Sequence, residues 1–172
     1  MKTPEVVAKC CKEMIDAVDT EVTVKCRVGV DQQKPDVTLP KFLEHISNAG
    51  VTRVIIHARK AMLSGLSPKQ NRNVPPLNYE LVYKMKELFP DLHISLNGGI
   101  QSIQQAKSHL ENGIDGVMIG RAAYQKPGEV LIDVDKYIFN DDTSEVTEKE
   151  VVKQMIPYIE NQYNDGGKVS KI

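Results

Sequence analysis

Four short apolar runs punctuate the chain: EVTVKCRVG at 21–29, RVIIHA at 53–58, HISLNGG at 93–99 and DGVMIG at 115–120. Between them lie stretches whose apolar residues recur at helical spacing. This alternation constrains the fold more than any other feature, because strands separated by helical crossovers pair in parallel. The helical stretches carry their own punctuation. Thr3 and Pro4 can open a helix with Val6, Val7, Cys10, Met14, Ile15 and Val18 on one face. Leu39, Phe42, Leu43 and Ile46 form the next stripe, with Gly50 placed to end it. Leu81, Val82, Met85, Leu88 and Phe89 mark a third helix, stopped by Pro90. SIQQAKSHLENG reads as a helix with a Ser102–Gln105 capping box and a terminal Gly113. RAAYQ opens another. From about Thr143 the chain turns acidic, and Val151, Val152, Met155, Ile156 and Ile159 then mark a last amphipathic helix.

Four parallel β/α units fit an open doubly wound sheet or part of a (β/α)8 barrel. The strand ends decide between them, since barrels carry their chemistry where strands finish. All four finishes bear polar groups: Lys25 and Arg27, His57, Asn97-Gly98-Gly99, and Gly120-Arg121. The last two are glycine turns leading into helices, where backbone N–H groups can approach a phosphate closely. Two such turns after the last two strands match the barrel's usual phosphate site, which numbers the strands 5 to 8. A complete barrel takes roughly 250 residues, and this chain has 172. The expected fold is therefore α/β: the C-terminal half of a TIM barrel, with an open face and strand edges that invite self-association.

Net charge is −1, so a polyanionic partner would have to meet a local patch. The patch is HARKAMLSGLSPKQNRNVPPL, residues 57–77, with Arg59, Lys60, Lys69 and Arg72. From His45 to Tyr79 there is no Asp or Glu. The three cysteines, Cys10, Cys11 and Cys26, have no metal-ligand spacing, and an odd number fits a reducing, cytoplasmic location. No apolar run approaches the ~20 residues of a membrane helix. Lys25 lies inside an apolar strand, where an unpaired buried ammonium is costly, so an anion is expected near it. Alternation puts Cys26 on the opposite face from Lys25.

VTVKCRVGVD, IIHARKAMLSGLSPKQNRNVPPLNYELVYKMKELFP, ISLNGGI and DGVMIGRAAYQKPG together resemble the bacterial A-type tRNA-dihydrouridine synthases. The resemblance runs over almost the whole chain. It implies an FMN-binding half barrel over residues 1–140 and the beginning of a helical tRNA-binding domain over 141–172. It implies an oxidoreductase that reduces D-loop uridine in tRNA to 5,6-dihydrouridine, with NADPH reloading the flavin. Carried over residue by residue, Lys25, His57, Asn97, Gly98, Gly99, Gly120 and Arg121 look like FMN contacts. Lys69 and Arg72 look like tRNA contacts, with Arg59 and Lys60 adding to the same surface. The family's proton-donor cysteine has no counterpart in this chain, so no residue is assigned a catalytic role. The isolated chain is expected to be inactive, to hold flavin weakly and to associate with itself.

A second reading, from another class, is a non-catalytic phosphate- or RNA-binding half barrel that keeps the cradle without the chemistry. A third, a sugar-phosphate isomerase, predicts carboxylates at strand ends. Lys25, His57 and Asn97 stand there instead.

Overall fold

Proline opens four of the helices in the computed structural model: α1 (Pro4–Ala17), α2 (Pro35–Asn48), the short α3 (Pro68–Asn71) and α7 (Pro127–Leu131). At the first turn its missing N–H would have had no partner, and its fixed φ suits the helix. The structure describes residues 1–141 and 146–167. It divides into two compact units, Met1–Gly120 and Arg121–Ile172.

The first unit holds a four-stranded sheet, β1 (Val24–Arg27), β2 (Arg53–His57), β3 (His93–Asn97) and β4 (Gly116–Met118). Its order is β1-β2-β3-β4 and every pair is parallel. This is the architecture expected from the alternation, and it is compatible with part of a (β/α)8 barrel. Period-two alternation separates the two faces. Val24, Val54 and Ile94 align on one face, as do Cys26, Ile56, Leu96 and Val117. Val54, Ile56, Ile94 and Leu96 are fully buried. Leu39, Leu43 and Ile46 of α2, with Val82 and Met85 of α4 (Tyr79–Leu88), complete this core. The other face carries Lys25, Arg27, Ile55, His57, Ser95, Asn97 and Met118.

The turn after α2 shows why Gly50 is needed. Its φ is +99°, and its N–H donates to Ser47 O at 2.9 Å while Val51 N–H reaches Ile46 O at 3.1 Å. This left-handed cap drops Val51 into the core.

Three expectations need correcting. On α1 the side facing α2 is centred on Cys11, which is buried; Cys10, Val6, Met14 and Val18 are exposed. Leu88 is exposed at the end of α4. In α5 (Ile103–Glu111) Ser102 accepts from Gln105 N–H, but the Gln105 side chain accepts from Gln101 N–H, so the box closes one residue early.

In the second unit α6 (Arg121–Gln125), α7, α8 (Val134–Ile138) and α9 (Glu148–Asn164) follow one another. α9 starts on a full capping box between Thr147 and Glu150. Its stripe of Val151, Val152, Met155, Ile156 and Ile159 is present, and it is exposed. The change of character placed near Thr143 lies outside the described residues. No helix among the described residues is long and apolar enough to cross a membrane.

Candidate functional site

Register brings the polar strand ends into one row. Arg27 pairs with His57, His57 with Asn97, and Asn97 with Met118. Lys25 lies two residues back on the same face, in the row of Ile55, Ser95 and Gly116. Asn97 Nδ2 donates to Met118 O at 2.7 Å and so ties the ends of β3 and β4. The face is cationic at β1. Partial desolvation of the ammonium by its surroundings, and then the Arg27 charge, pull the Lys25 pKa down. Burial, and then Arg59 and Arg72, act the same way on Arg27. No carboxylate contributes to either. Lys25 is exposed, so the buried ammonium expected from the strand pattern is not found. What survives of that argument is a cluster of positive groups held near one another, which an anion would relieve.

The long loop is built on this row. Its opening limb extends the β1 side: Ala61 N–H donates to Gly29 O at 2.8 Å, and Asp31 N–H to Ala61 O at 2.7 Å. Arg27 Nη1 donates to Lys60 O and to Asn71 O, each at 2.8 Å. Asn71 then clamps the limb from the other side. Its Oδ1 accepts from Met62 N–H at 2.7 Å, and its Nδ2 donates to Met62 O at 2.8 Å and Leu66 O at 3.2 Å. Inside the loop α3 is set by a full capping box between Ser67 and Gln70. Lys69 and Arg72 flank Asn71 on this turn and are exposed. Lys60 is half-buried. Arg59 donates to Pro75 O, and its Nε is buried with no partner among the described residues. Asp31 serves the acid-free loop from outside it, accepting from Leu63 N–H at 2.8 Å and from Lys2 at 2.7 Å. Arg59 N–H donates to His57 O at 2.8 Å and lies 3.3 Å from His57 Nδ1.

Gly98 and Gly99 leave β3 with φ of +113° and +76°. A Cβ on Gly98 would lie 3.1 Å from His57 Cε1. On Gly99 it would lie 2.6 Å from Leu77 Cδ1 and 2.8 Å from the Tyr79 hydroxyl. That hydroxyl donates to Gly98 O at 2.7 Å. These glycines thus have a packing reason of their own. Their N–H groups meet no backbone carbonyl among the described residues. Gly120 is exposed, and a Cβ there would meet nothing within 4 Å. It leaves the same end of the sheet as Gly98, one strand over. Arg121 begins the second unit as the first residue of α6 and is exposed.

The cysteines stand apart from this face. Cys26 is buried on the far side of β1, and burial pushes its thiol up to about 12. Cys10 and Cys11 sit on α1. No three His, Cys, Asp or Glu residues among the described ones could hold a metal ion. The row presents cations and hydrogen-bonding groups, with no carboxylate among the residues that end the four strands.

Asn71 and Tyr79 were not singled out from sequence as functional, and Arg27 only as a polar strand end. Ser67-Pro68-Lys69-Gln70 is a legible capping signal, and it locates the turn that Asn71 ends. Nothing in the sequence marks Asn71 itself as the loop's clamp.

Comparison with known proteins matches residues 1–172 to the family described as dihydrouridine synthase (Dus). The tRNA-dihydrouridine(20/20a) synthase of Salmonella typhimurium is 48% identical over 173 residues, covering 100% of this chain and 52% of that protein. Proteins of the same name from Shewanella oneidensis and a Synechocystis strain are 45% and 42% identical over 172 residues, each covering 51% of the relative. The chain spans about half the length of the curated relatives it matches. The expected placement as the C-terminal half, with strands 5 to 8, does not stand against a family match that runs from residue 1 to residue 172. The strands are accordingly numbered by their order in this chain alone.

Proposed function

The chain belongs to the dihydrouridine synthase family, and we propose that it supplies the flavin- and tRNA-facing surface of an enzyme reducing D-loop uridine in tRNA to 5,6-dihydrouridine. The observation that carries this reading is the row Arg27–His57–Asn97–Met118, with Lys25 behind it on the same face. Cations, glycine turns and an imidazole stand at the same end of the sheet. A flavin mononucleotide presents the matching chemistry: a phosphate and an electron-accepting ring with carbonyl edges.

Lys25, His57, Asn97, Gly98, Gly99, Gly120 and Arg121 would hold FMN. When bound, FMN supplies the hydride, and NADPH is the reductant that restores it. Lys25 would set positive charge against the ring edge where negative charge gathers on reduction. His57 would offer its imidazole beside the Gly98 turn. Gly98, Gly99 and Gly120 would offer backbone N–H groups to the phosphate, and Arg121 a forked, charge-assisted contact. Lys69 and Arg72, with Arg59 and Lys60, would meet tRNA phosphates, which accounts for the absence of acids from the loop. In this reading residues 1–140 serve the flavin, residues 141–172 open a helical tRNA-binding part, and the protein works in the cytoplasm.

The test is flavin fluorescence titration, with tRNA retention at low salt measured in parallel. FMN binding that weakens in Lys25→Ala and His57→Ala supports the reading; a chain that takes up neither FMN nor tRNA defeats it. Cysteine placement favours a second reading, a non-catalytic phosphate- or RNA-binding unit, because no thiol among the described residues lies on the cationic face. An assay of dihydrouridine formation with NADPH and unmodified tRNA separates the two.

A further inference from the structure

The two limbs of the long loop enclose a cleft of about 580 Å3 against the end of β1 and the start of α2. Val28, Met62, Leu66, Val74 and Pro75 line it, with Lys60 on the wall. We propose that this cleft seats an unpaired nucleobase of the bound RNA, separate from the base that would undergo chemistry. The inference rests on the RNA reading above and extends it to a second contact.

Three observations carry it. The cleft is held open by bonds that leave its apolar side chains uncommitted. Asn71 grips both backbone groups of Met62 and the carbonyl of Leu66, Arg27 grips Lys60 O, and Arg59 reaches across to Pro75 O. Both walls are thus fixed before a ligand arrives, which lowers the ordering cost of binding. Next, the cleft presents apolar surface to water in a strongly basic loop: Val74 is 61% exposed. Water gains nothing from such groups, whereas a flat base loses little by leaving water and gains contact on its faces.

The third observation is charge. No acid occurs from His45 to Tyr79, and the nearby Asp31 is committed to Lys2 and to Leu63 N–H. Lys60 stands on the cleft wall, with Lys69 and Arg72 on the turn that Asn71 anchors. An apolar seat with Lys60 on its wall and no carboxylate in its lining suits a ligand that is apolar on its faces and anionic along its linkage. A nucleotide within a strand of RNA has that form. An ordinary protein side chain would use the apolar seat and gain nothing from the acid-free lining.

The experiment uses the 172-residue chain and an unstructured ribo-oligonucleotide of about twelve nucleotides, within the usual footprint of a single-strand site. A matched strand of abasic ribose phosphates keeps the charge and removes every base. Affinity is read by anisotropy, and base burial by 2-aminopurine fluorescence. The base-bearing strand should bind roughly tenfold more tightly. Leu66→Ala with Val74→Ala should erase that difference and the 2-aminopurine signal, and should leave abasic binding and the salt slope unchanged. Val74→Ala alone, at an exposed position, should reduce the difference in a chain whose folding is not in question. Equal affinity for the two strands overturns the base seat while the RNA reading stands. Binding of neither strand overturns both. A dimer in light scattering that Val74→Ala dissolves makes the cleft a contact between copies and also overturns the inference.

Discussion

Arg27 at the end of β1 and Asn71 in the long loop, 44 positions apart, are joined by a hydrogen bond of 2.8 Å from the guanidinium to the Asn71 carbonyl. The same guanidinium nitrogen holds Lys60 O, so one strand residue pins both ends of the loop's first limb. The loop is thereby a built surface with a defined shape.

Removing the Asn71 side-chain clamp should loosen the loop without unfolding the sheet. Asn71→Ala leaves Met62 N–H and the Leu66 carbonyl without their partner, a cost of about 1–3 kcal/mol for a buried group and less for these half-buried ones. Hydrogen exchange should accelerate across residues 60–74 and remain unchanged in β3. Arg27→Lys should rescue Arg27→Ala only in part, because the ammonium sits on a stem one atom shorter than the one that places Nη1 between the two carbonyls. Uniform acceleration across the first unit would show a general stability effect instead.

Lys69→Ala and Arg72→Ala should each weaken tRNA binding and lower the salt slope by about one unit. FMN affinity should not move. A double variant with undiminished tRNA affinity would make these cations ordinary solvated charges.

The glycines should separate by cause. Gly99→Ala forces a Cβ against Leu77 and Tyr79 at a φ of +76°. It should cost about 2 kcal/mol or more, read as a lower denaturant midpoint. Gly120→Ala meets open space and should leave the midpoint unchanged. If Gly120 serves the phosphate, that same variant should weaken FMN binding, a loss with no stability component.

Thiol labelling at pH 7 should single out Cys10, which is exposed. Cys26, raised by burial to about 12 from an ordinary 9.0, should react about a thousandfold more slowly on thiolate fraction alone. Cys11 is raised too, by burial first and then by the neighbouring Cys10. Mass spectrometry of the labelled peptides gives the order. Fast labelling of Cys26 would mean that β1 opens readily.

His109 links acidity to the packing of α4 on α5. Burial lowers its pKa below the ordinary 6.5, and its Nδ1 meets the Tyr83 hydroxyl at 2.6 Å. The unfolded chain therefore binds the proton more readily than the folded one. Stability from this group is present above about 6.5 and falls as pH drops through the lower folded value. The urea midpoint of the parent should fall between pH 7.5 and pH 5.5 by more than that of His109→Gln. Parallel loss in both proteins would assign the acid sensitivity to other groups.

Local patterning was sufficient for the four strands, their parallel chain-order pairing, the buried face of α2 and the opposite facing of Lys25 and Cys26. Those follow from backbone geometry, which repeats every two or 3.6 residues whatever the surroundings. It was not sufficient where a neighbour chooses among nearly equal options. α1 has apolar groups over much of its circumference, and the packing of α2 selected Cys11 over Cys10. Lys25 reads as buried in an apolar strand and is exposed, because burial depends on what covers the face. The row through Arg27, His57 and Asn97, and the grip of Arg27 on Asn71, exist only once strands have paired in register and the loop has folded back. Contacts across 44 residues carry no periodic signal, so tertiary packing alone decides them.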